Sequence, residues 1–258
     1  PLDGKHVLLV SALDTVLYFV GTYTSGRLAV ENASLLDHGC SYYAAQTFED
    51  AQGRRIAFGW LRESRDDDAQ EQAGWSGVQS LPRVLTLSSN GAIVAHPAEE
   101  VESLRQKGEH RQRVLLTPGD DLALENLNGR HLELHATLEV TEKGQVGFVV
   151  CASPNREEQT HVYYDCFTNE LCIDTRGSSV SEQVTTGLYC AILETQPRET
   201  IDLHVFADGS VVEAFTDGQA WVTARIYPAR EDSVGVRAYA DGAEGRLKTL
   251  DAWPLALV

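Results

Sequence analysis

Three side chains at two-residue spacing, His131, Glu133 and His135, are the first candidates for chemistry. Alternation puts them on one face of a strand, where two imidazoles and a carboxylate can ligate a metal ion. The same alternation describes the solvent face of a half-buried strand, which is the reading taken, so no metal is expected. Five cysteines, Cys40, Cys151, Cys166, Cys172 and Cys190, leave at least one thiol unpaired, and none stands in a Cys-x-x-Cys spacing. Cys166 and Cys172 flank a hairpin-like Phe167-Thr168-Asn169-Glu170-Leu171 and could face each other across it. Five small buried side chains is an equally good reading. Cys40 has no base near it in sequence that would make it a nucleophile. No Gly-x-Ser-x-Gly elbow and no phosphate-cradling glycine loop is present. Carboxylates are abundant, yet none stands in a recognisable acid–base pair, and Asn32-Ala33-Ser34 is a short glycosylation acceptor pattern.

The elements that would position any of these are strands almost throughout. His6 to Val10, Val16 to Val20, Arg55 to Leu61, Val84 to Leu87 and Ala92 to Val94 are short β-branched or alternating runs. Ser89-Asn90-Gly91 between two of them is a strong hairpin signal. Pro97 to Gly108 begins with acids, ends with bases and stops at Gly, which predicts a short surface helix with only Val101 and Leu104 apolar. Glu63 to Glu71 reads as a polar loop. Longer strands follow, from His131 to Val140 through Val234 to Tyr239, with tight turns at Asp208-Gly209 and Asp217-Gly218. About nine strands there suit two packed antiparallel sheets. Over its 258 residues the chain carries 38 acidic against 21 basic side chains, a net charge of −17. That balance excludes nucleic acid and an anionic membrane surface as partners. No apolar run approaches the ~18 residues of a spanning helix. There is no methionine, not even an initiator, as in a piece of a longer chain, although Pro1 after removal of Met fits too.

Between Asp37 and Arg83 three motifs follow in order. They are Asp37-His-Gly-Cys-Ser-Tyr-Tyr43-Ala-Ala-Gln-Thr-Phe48, Gly53-Arg-Arg-Ile-Ala-Phe-Gly-Trp60, and Trp75-Ser-Gly-Val-Gln-Ser-Leu-Pro-Arg83. The C-terminal half adds Asp208-Gly-Ser210-Val-Val-Glu213-Ala-Phe215, Thr223-Ala-Arg225-Ile-Tyr227-Pro228 and Glu170-Leu-Cys-Ile-Asp174-Thr-Arg176-Gly-Ser-Ser179. Together they resemble glycoside hydrolase family 32, the invertases, β-fructofuranosidases and fructan hydrolases, over essentially the whole chain. Gln79 stands where the family usually has Met.

The resemblance implies an all-β fold: residues 1–97 as the C-terminal part of a five-bladed β-propeller, 98–110 as a helical linker and 111–258 as a β-sandwich. It implies that the nucleophile Asp, the transition-state-binding Asp and the acid/base Glu lie in propeller blades upstream of Pro1. No catalytic residue is then expected here, and the chain alone is not expected to hydrolyse sucrose. Tyr43 and Trp60 match family positions that line the sugar pocket, a phenol for a hydroxyl and an indole face for a ring. Core aromatics of a blade is the plainer alternative. Asp37, Trp75, Pro82 and Arg83 read as structural. The expected partner is sucrose or a fructan-type carbohydrate, with no cofactor. Three functions stay open: part of a β-fructofuranosidase, a non-catalytic carbohydrate-binding relic, or a module that self-associates through an exposed blade edge or a sandwich face. Secreted and cytoplasmic locations both fit.

Overall fold

The short runs separated by turn residues do become strands. The computed structural model describes residues 2–140, 143–193 and 199–257, so Pro1 and Val258, the expected outer limits of the two parts, lie outside it. The first sheet is a meander of β1 (His6–Ala12), β2 (Thr15–Thr24) and β3 (Arg27–Leu35). Its two-residue turns, Leu13-Asp14 and Ser25-Gly26, have positive φ at both positions, the geometry that matches strand twist. The second sheet has the order β4-β5-β7-β8, from β4 (Tyr42–Glu49), β5 (Arg55–Leu61), β7 (Arg83–Leu87) and β8 (Ile93–Pro97). The two-residue β6 (Val78–Gln79) pairs with β5. Asn90-Gly91 turns the chain between β7 and β8 as expected.

Two local expectations change. The polar stretch after Glu63 is not all loop, because α1 (Asp67–Ala73) forms within it. Asp66 caps it by accepting from the Ala69 N–H at 2.8 Å, and Gly74 ends it at φ 74°. It buries no residue, so no apolar period marks it. The surface helix expected from Pro97 to Gly108 is a shorter 3₁₀ turn, Glu99–Leu104, held by buried Val101 and without a side-chain N-cap.

Twelve strands follow among the described residues: β9 (Glu109–Leu116), β10 (Leu122–Ala123), β11 (His131–Val140), β12 (Gln145–Ala152), β13 (Thr160–Asp165), β14 (Glu170–Asp174), β15 (Leu188–Ile192), β16 (Thr200–Asp208), β17 (Val211–Thr216), β18 (Ala220–Arg225), β19 (Gly235–Asp241) and β20 (Gly245–Pro254). They form two antiparallel sheets of six, ordered β10-β19-β12-β13-β14-β15 and β18-β17-β16-β11-β20-β9. Inward side chains of both, such as Leu134, Leu203 and Val222 from one and Phe148, Tyr164 and Ile173 from the other, share one core.

A second core explains why β17 and β18 are buried at every position. Phe206, Phe215 and Trp221, on the outward face of their sheet, pack against Tyr18, Leu36, Tyr42 and Leu61 from the first two sheets. The face expected to meet solvent is covered at Glu133, which corrects that reading, while His131 and His135 stay partly exposed. Glu133 is 1% exposed, held by Arg105 Nε at 2.7 Å and by His204 Nε2 at 2.7 Å. His131 and His135 turn instead to Asp208 (2.6 Å) and Asp202 (2.8 Å). Cys172 does pair, but with Cys190 on the next strand. Cys166 sits at the turn between β13 and β14 and points into the shared core, whereas Cys172 lies on the opposite face of the sheet.

Burial would raise the Glu133 carboxyl, but the Arg105 and His204 bonds outweigh it and hold the group at about 2 against an ordinary 4.5. A depressed carboxylate stabilises the fold fully above about pH 4.5, and that contribution fades as pH falls through about 2. Glu133→Gln is expected to cost about 3 kcal/mol at pH 7 and to flatten the acid-side loss of melting temperature. A melting curve of unchanged acid dependence would contradict this.

Candidate functional site

Tyr43 and Trp60 come together. They are ladder partners on β4 and β5, so both side chains leave the same face of the sheet, opposite buried Tyr42 and Leu61. A bulge follows at once: pairing is interrupted between Tyr43 and Gln46, and Ala44 is held at φ 47°. Bulges re-aim side chains in this way near binding sites. The Arg62 guanidinium lies 4.6 Å from the Tyr43 ring centre and is itself tied to Asp14 Oδ1 at 2.6 Å. Trp60 stays 47% exposed, and Gly77 passes against its indole edge so closely that a Cβ there would fall 2.2 Å from Nε1.

That close approach is organised by Glu63, which sequence reasoning passed over as part of a polar loop. One of its oxygens accepts the Gly77 N–H at 2.7 Å; the other accepts Arg65 Nε at 2.8 Å and the Tyr227 hydroxyl at 2.6 Å. Arg65 is stacked between the Trp75 and Tyr227 rings, 4.2 and 4.6 Å from their centres. Burial works against the charge, but these bonds prevail and keep Glu63 ionised down to about pH 2. Trp75 thus supports the segment that backs Trp60, and Tyr227 ties it to the second half of the chain.

Asp37 and Arg83 serve a different end. Arg83, 1% exposed, donates from Nη1 to Asp37 Oδ2 at 2.8 Å and from Nε to Glu213 Oε2 at 3.2 Å, and from Nη2 to Thr223 Oγ1 at 2.6 Å. The Asp37 carboxylate also accepts the Thr223 hydroxyl at 2.6 Å and the Gly39 and Thr223 N–H groups. Glu213 Oε1 accepts the Leu81 N–H at 2.7 Å. The Tyr42 ring lies 4.4 Å below the guanidinium, and burial pushes its hydroxyl up to about 12. Burial also pushes the Glu213 carboxyl up, since it shares one cation with Asp37. A second arginine, Arg225, reaches across to the Leu61 carbonyl at 2.9 Å, and the Trp221 indole N–H donates to the Leu36 carbonyl.

An exposed indole and a neighbouring phenol, backed by stacked arginine and buried charge, make a surface of the sort on which sugar rings pack. The chain is thus an all-β protein with an exposed indole set beside a phenol on one sheet face. Two family models match it in order: the N-terminal domain of glycosyl hydrolases family 32 over residues 3–97, and the C-terminal domain of the same family over residues 100–254. The chain belongs to glycosyl hydrolase family 32. An insoluble-isoenzyme beta-fructofuranosidase of Arabidopsis thaliana is 29% identical, over 97% of this chain and 52% of its own length. Fructan 1-exohydrolase w1 of Triticum aestivum is 27% identical, over 99% and 51%. This chain therefore spans about half the length of the curated relatives it matches. Fructan 1-exohydrolase IIa of Cichorium intybus shares the fold with a TM-score of 0.90 at 24% identity, covering 99% of this chain and 57% of that one. Exo-inulinase of Aspergillus awamori does so with a TM-score of 0.82 at 20%, covering 99% and 55%.

Removing the cation at the Arg83 node leaves two buried carboxylates uncompensated. Arg83→Met is expected to cost about 3–5 kcal/mol in urea unfolding, and Arg83→Lys nearly as much, because an ammonium lacks the fork that serves three acceptors. A loss under about 1 kcal/mol for either would show that the node does not hold the halves together.

Proposed function

We propose that these 258 residues are the C-terminal portion of a β-fructofuranosidase-type hydrolase that cleaves terminal β-fructofuranosides such as sucrose with retention. In this reading residues 1–97 are the last part of a five-bladed propeller, 98–110 the linker and 111–258 a β-sandwich. Tyr43 and Trp60 line one wall of the fructoside pocket. The observation that carries it is the ordered match to both halves of one family of hydrolases by a chain half as long as its relatives. Two successive open meanders, one of three strands and one built on four, support the propeller assignment, because a propeller cut short cannot close.

The acid–base chemistry belongs to residues outside this chain. A retaining glycosidase needs a carboxylate that attacks and an acid, raised in pKa, that protonates the leaving oxygen. Around the Tyr43–Trp60 wall the carboxylates Asp14, Asp37 and Glu63 are each committed to an arginine, and Glu63 is driven down rather than up. The open edge of β1, with Leu8 half exposed, supports pairing with a further blade or a second copy.

The gene product extended upstream of Pro1 is expected to release fructose from sucrose or a fructan, and the 258-residue chain to release none. Hydrolysis by the chain alone, or no activity in the extended protein, overturns the proposal. In the extended protein Trp60→Ala should lower kcat/KM by roughly 10–100-fold, the scale of one lost aromatic contact to the substrate. Light scattering of the short chain should show a concentration-dependent dimer, and a monomer at every concentration would remove self-association.

A further inference from the structure

Three groups able to ligate a soft metal ion meet on the outer face of the sheet that contains β12 to β15. Glu170, Cys172 and Cys190 bring a carboxylate oxygen and two sulfurs within 4.8 Å of one another. The ladder places them. Cys172 and Cys190 are directly opposed on β14 and β15, and Glu170, two residues before Cys172, leaves the same face of β14. Among the described residues no other His, Cys, Asp and Glu side chains gather three ligand atoms this closely. The histidines of the other sheet are each spent on one carboxylate: His131 on Asp208, His135 on Asp202 and His204 on Glu133.

The surroundings suit an ion. Val149, Ala152, Tyr163 and Tyr239 pack with Cys172 into an apolar cluster, and half-buried Cys190 lies against it. One side of the sulfur pair is therefore dry. On the other side stands Glu170, partly exposed, whose carboxylate has no hydrogen bond or ion pair among the described residues. Its cross-strand neighbour Asp165 is already committed, accepting the Phe167 and Thr168 N–H groups at 2.9 and 3.0 Å and Gln145 Nε2 at 2.8 Å. Two thiolates and one carboxylate with an open fourth position match the tetrahedral preference of Zn²⁺, and sulfur disfavours the oxygen-seeking Mg²⁺ and Ca²⁺.

In this structure the two sulfurs are bonded to each other. We infer that Glu170, Cys172 and Cys190 form a zinc site gated by thiol–disulfide exchange: the disulfide excludes the ion and reduction admits it. A small dithiol supplies two electrons and two protons, closing to its own disulfide and leaving Cys172 and Cys190 as thiols. Zn²⁺ then displaces both thiol protons and gains two bonds to sulfur, one to a Glu170 oxygen and one to water. With Zn–S bonds of ~2.3 Å the sulfurs must stand roughly 3.8 Å apart, a separation that rotation about the two Cα–Cβ bonds supplies without breaking the ladder. β15 is the edge strand of its sheet, and the chain leading into it docks on the segment that begins at Glu63: the Thr185 N–H donates to the Ser64 carbonyl at 2.6 Å and the Asp66 N–H to the Gln183 carbonyl at 3.0 Å. The ion takes over from the covalent bond in clasping β15 to β14, so this docking is kept in both redox states. The site involves no sugar and stands whether or not the chain is part of a hydrolase.

Co²⁺, a coloured substitute for Zn²⁺, tests this on the 258-residue chain with and without reduction by dithiothreitol, which is removed under argon before titration. The reduced chain is expected to bind one Co²⁺ with a thiolate-to-cobalt absorption band that Zn²⁺ abolishes, and the unreduced chain to show no band. Cys172→Ser with Cys190→Ser should remove the band after reduction, although Cys40, Cys151 and Cys166 remain, and Glu170→Gln should weaken binding about tenfold or more, the scale on which metal sites lose affinity when their ligand shells are disturbed. Zn²⁺ should raise the melting temperature of the reduced chain and leave that of the unreduced chain unchanged. If reduction unfolds the chain, one equivalent of Zn²⁺ is expected to restore its near-ultraviolet circular dichroism. A reduced chain that neither binds Co²⁺ nor is refolded by Zn²⁺ overturns the inference. So does a band that persists in the double serine variant, or equal binding by the unreduced chain.

Discussion

One guanidinium holds the halves of this chain in register. Arg83 enters from β7, Asp37 from the turn after β3, and Glu213 and Thr223 from the hairpin of β17 and β18. A guanidinium cannot shed its proton and offers a rigid fork of donors, so it can serve acceptors from three directions with water excluded. Burying such a group is costly and adds little net stability over an apolar plug of the same size. Its effect is selective. Only one docking of the first two sheets against the outer face of the β16–β18 region gives the fork all its acceptors, and any slip strands two carboxylates in a dry interface. The wall follows from that docking. Glu213 takes the Leu81 N–H, which sets the segment between Trp75 and Pro82, and that segment backs Trp60 through Gly77.

Strands and hairpins were legible because alternation and turn residues are local signals. Asn90-Gly91, Asp208-Gly209 and the His131 to Val140 run needed no partner to be recognised. What was hidden depends on which surfaces meet. Glu133 alternates with Leu132 and Leu134 as a solvent residue would, and nothing local announces that Arg105 and His204 close over it. α1 buries nothing, so it lacks the apolar period that reveals helices. Cys172 and Cys190 are 18 residues apart on neighbouring strands, a pairing that depends on the β14–β15 register rather than on spacing. For the candidate site, Tyr43 and Trp60 were legible as types at motif positions, and their adjacency is a property of the ladder. Glu63, which orders the surroundings of Trp60, carried no signal beyond lying in a charged stretch.

The two six-stranded sheets differ in what their outer faces do. One buries aromatic residues under the first two sheets, so β17 and β18 are apolar or ion-paired on both sides. The other sets Tyr163 and Tyr239 on either side of Gly147 and packs them with Val149, Ala152 and Cys172 into a small outer cluster.

Charge placement at the aromatic wall differs from that of an acid–base centre. An acid that donates a proton at neutral pH needs an apolar or anionic neighbourhood that raises its pKa. The aromatic wall has the opposite surroundings. Arg62, Arg65, Arg83 and Arg225 sit within or just behind it, each bound to carboxylate or carbonyl oxygen. Such surroundings keep carboxylates ionised and fixed, which suits holding an indole and a phenol in place and opposes proton transfer. Glu213 is the carboxylate here that is pushed up, yet both its oxygens are taken by Arg83 and the Leu81 N–H. Around the wall the chemistry on offer is shape and hydrogen bonding, because its carboxylates Asp14, Asp37 and Glu63 are tied to arginines rather than free to donate a proton.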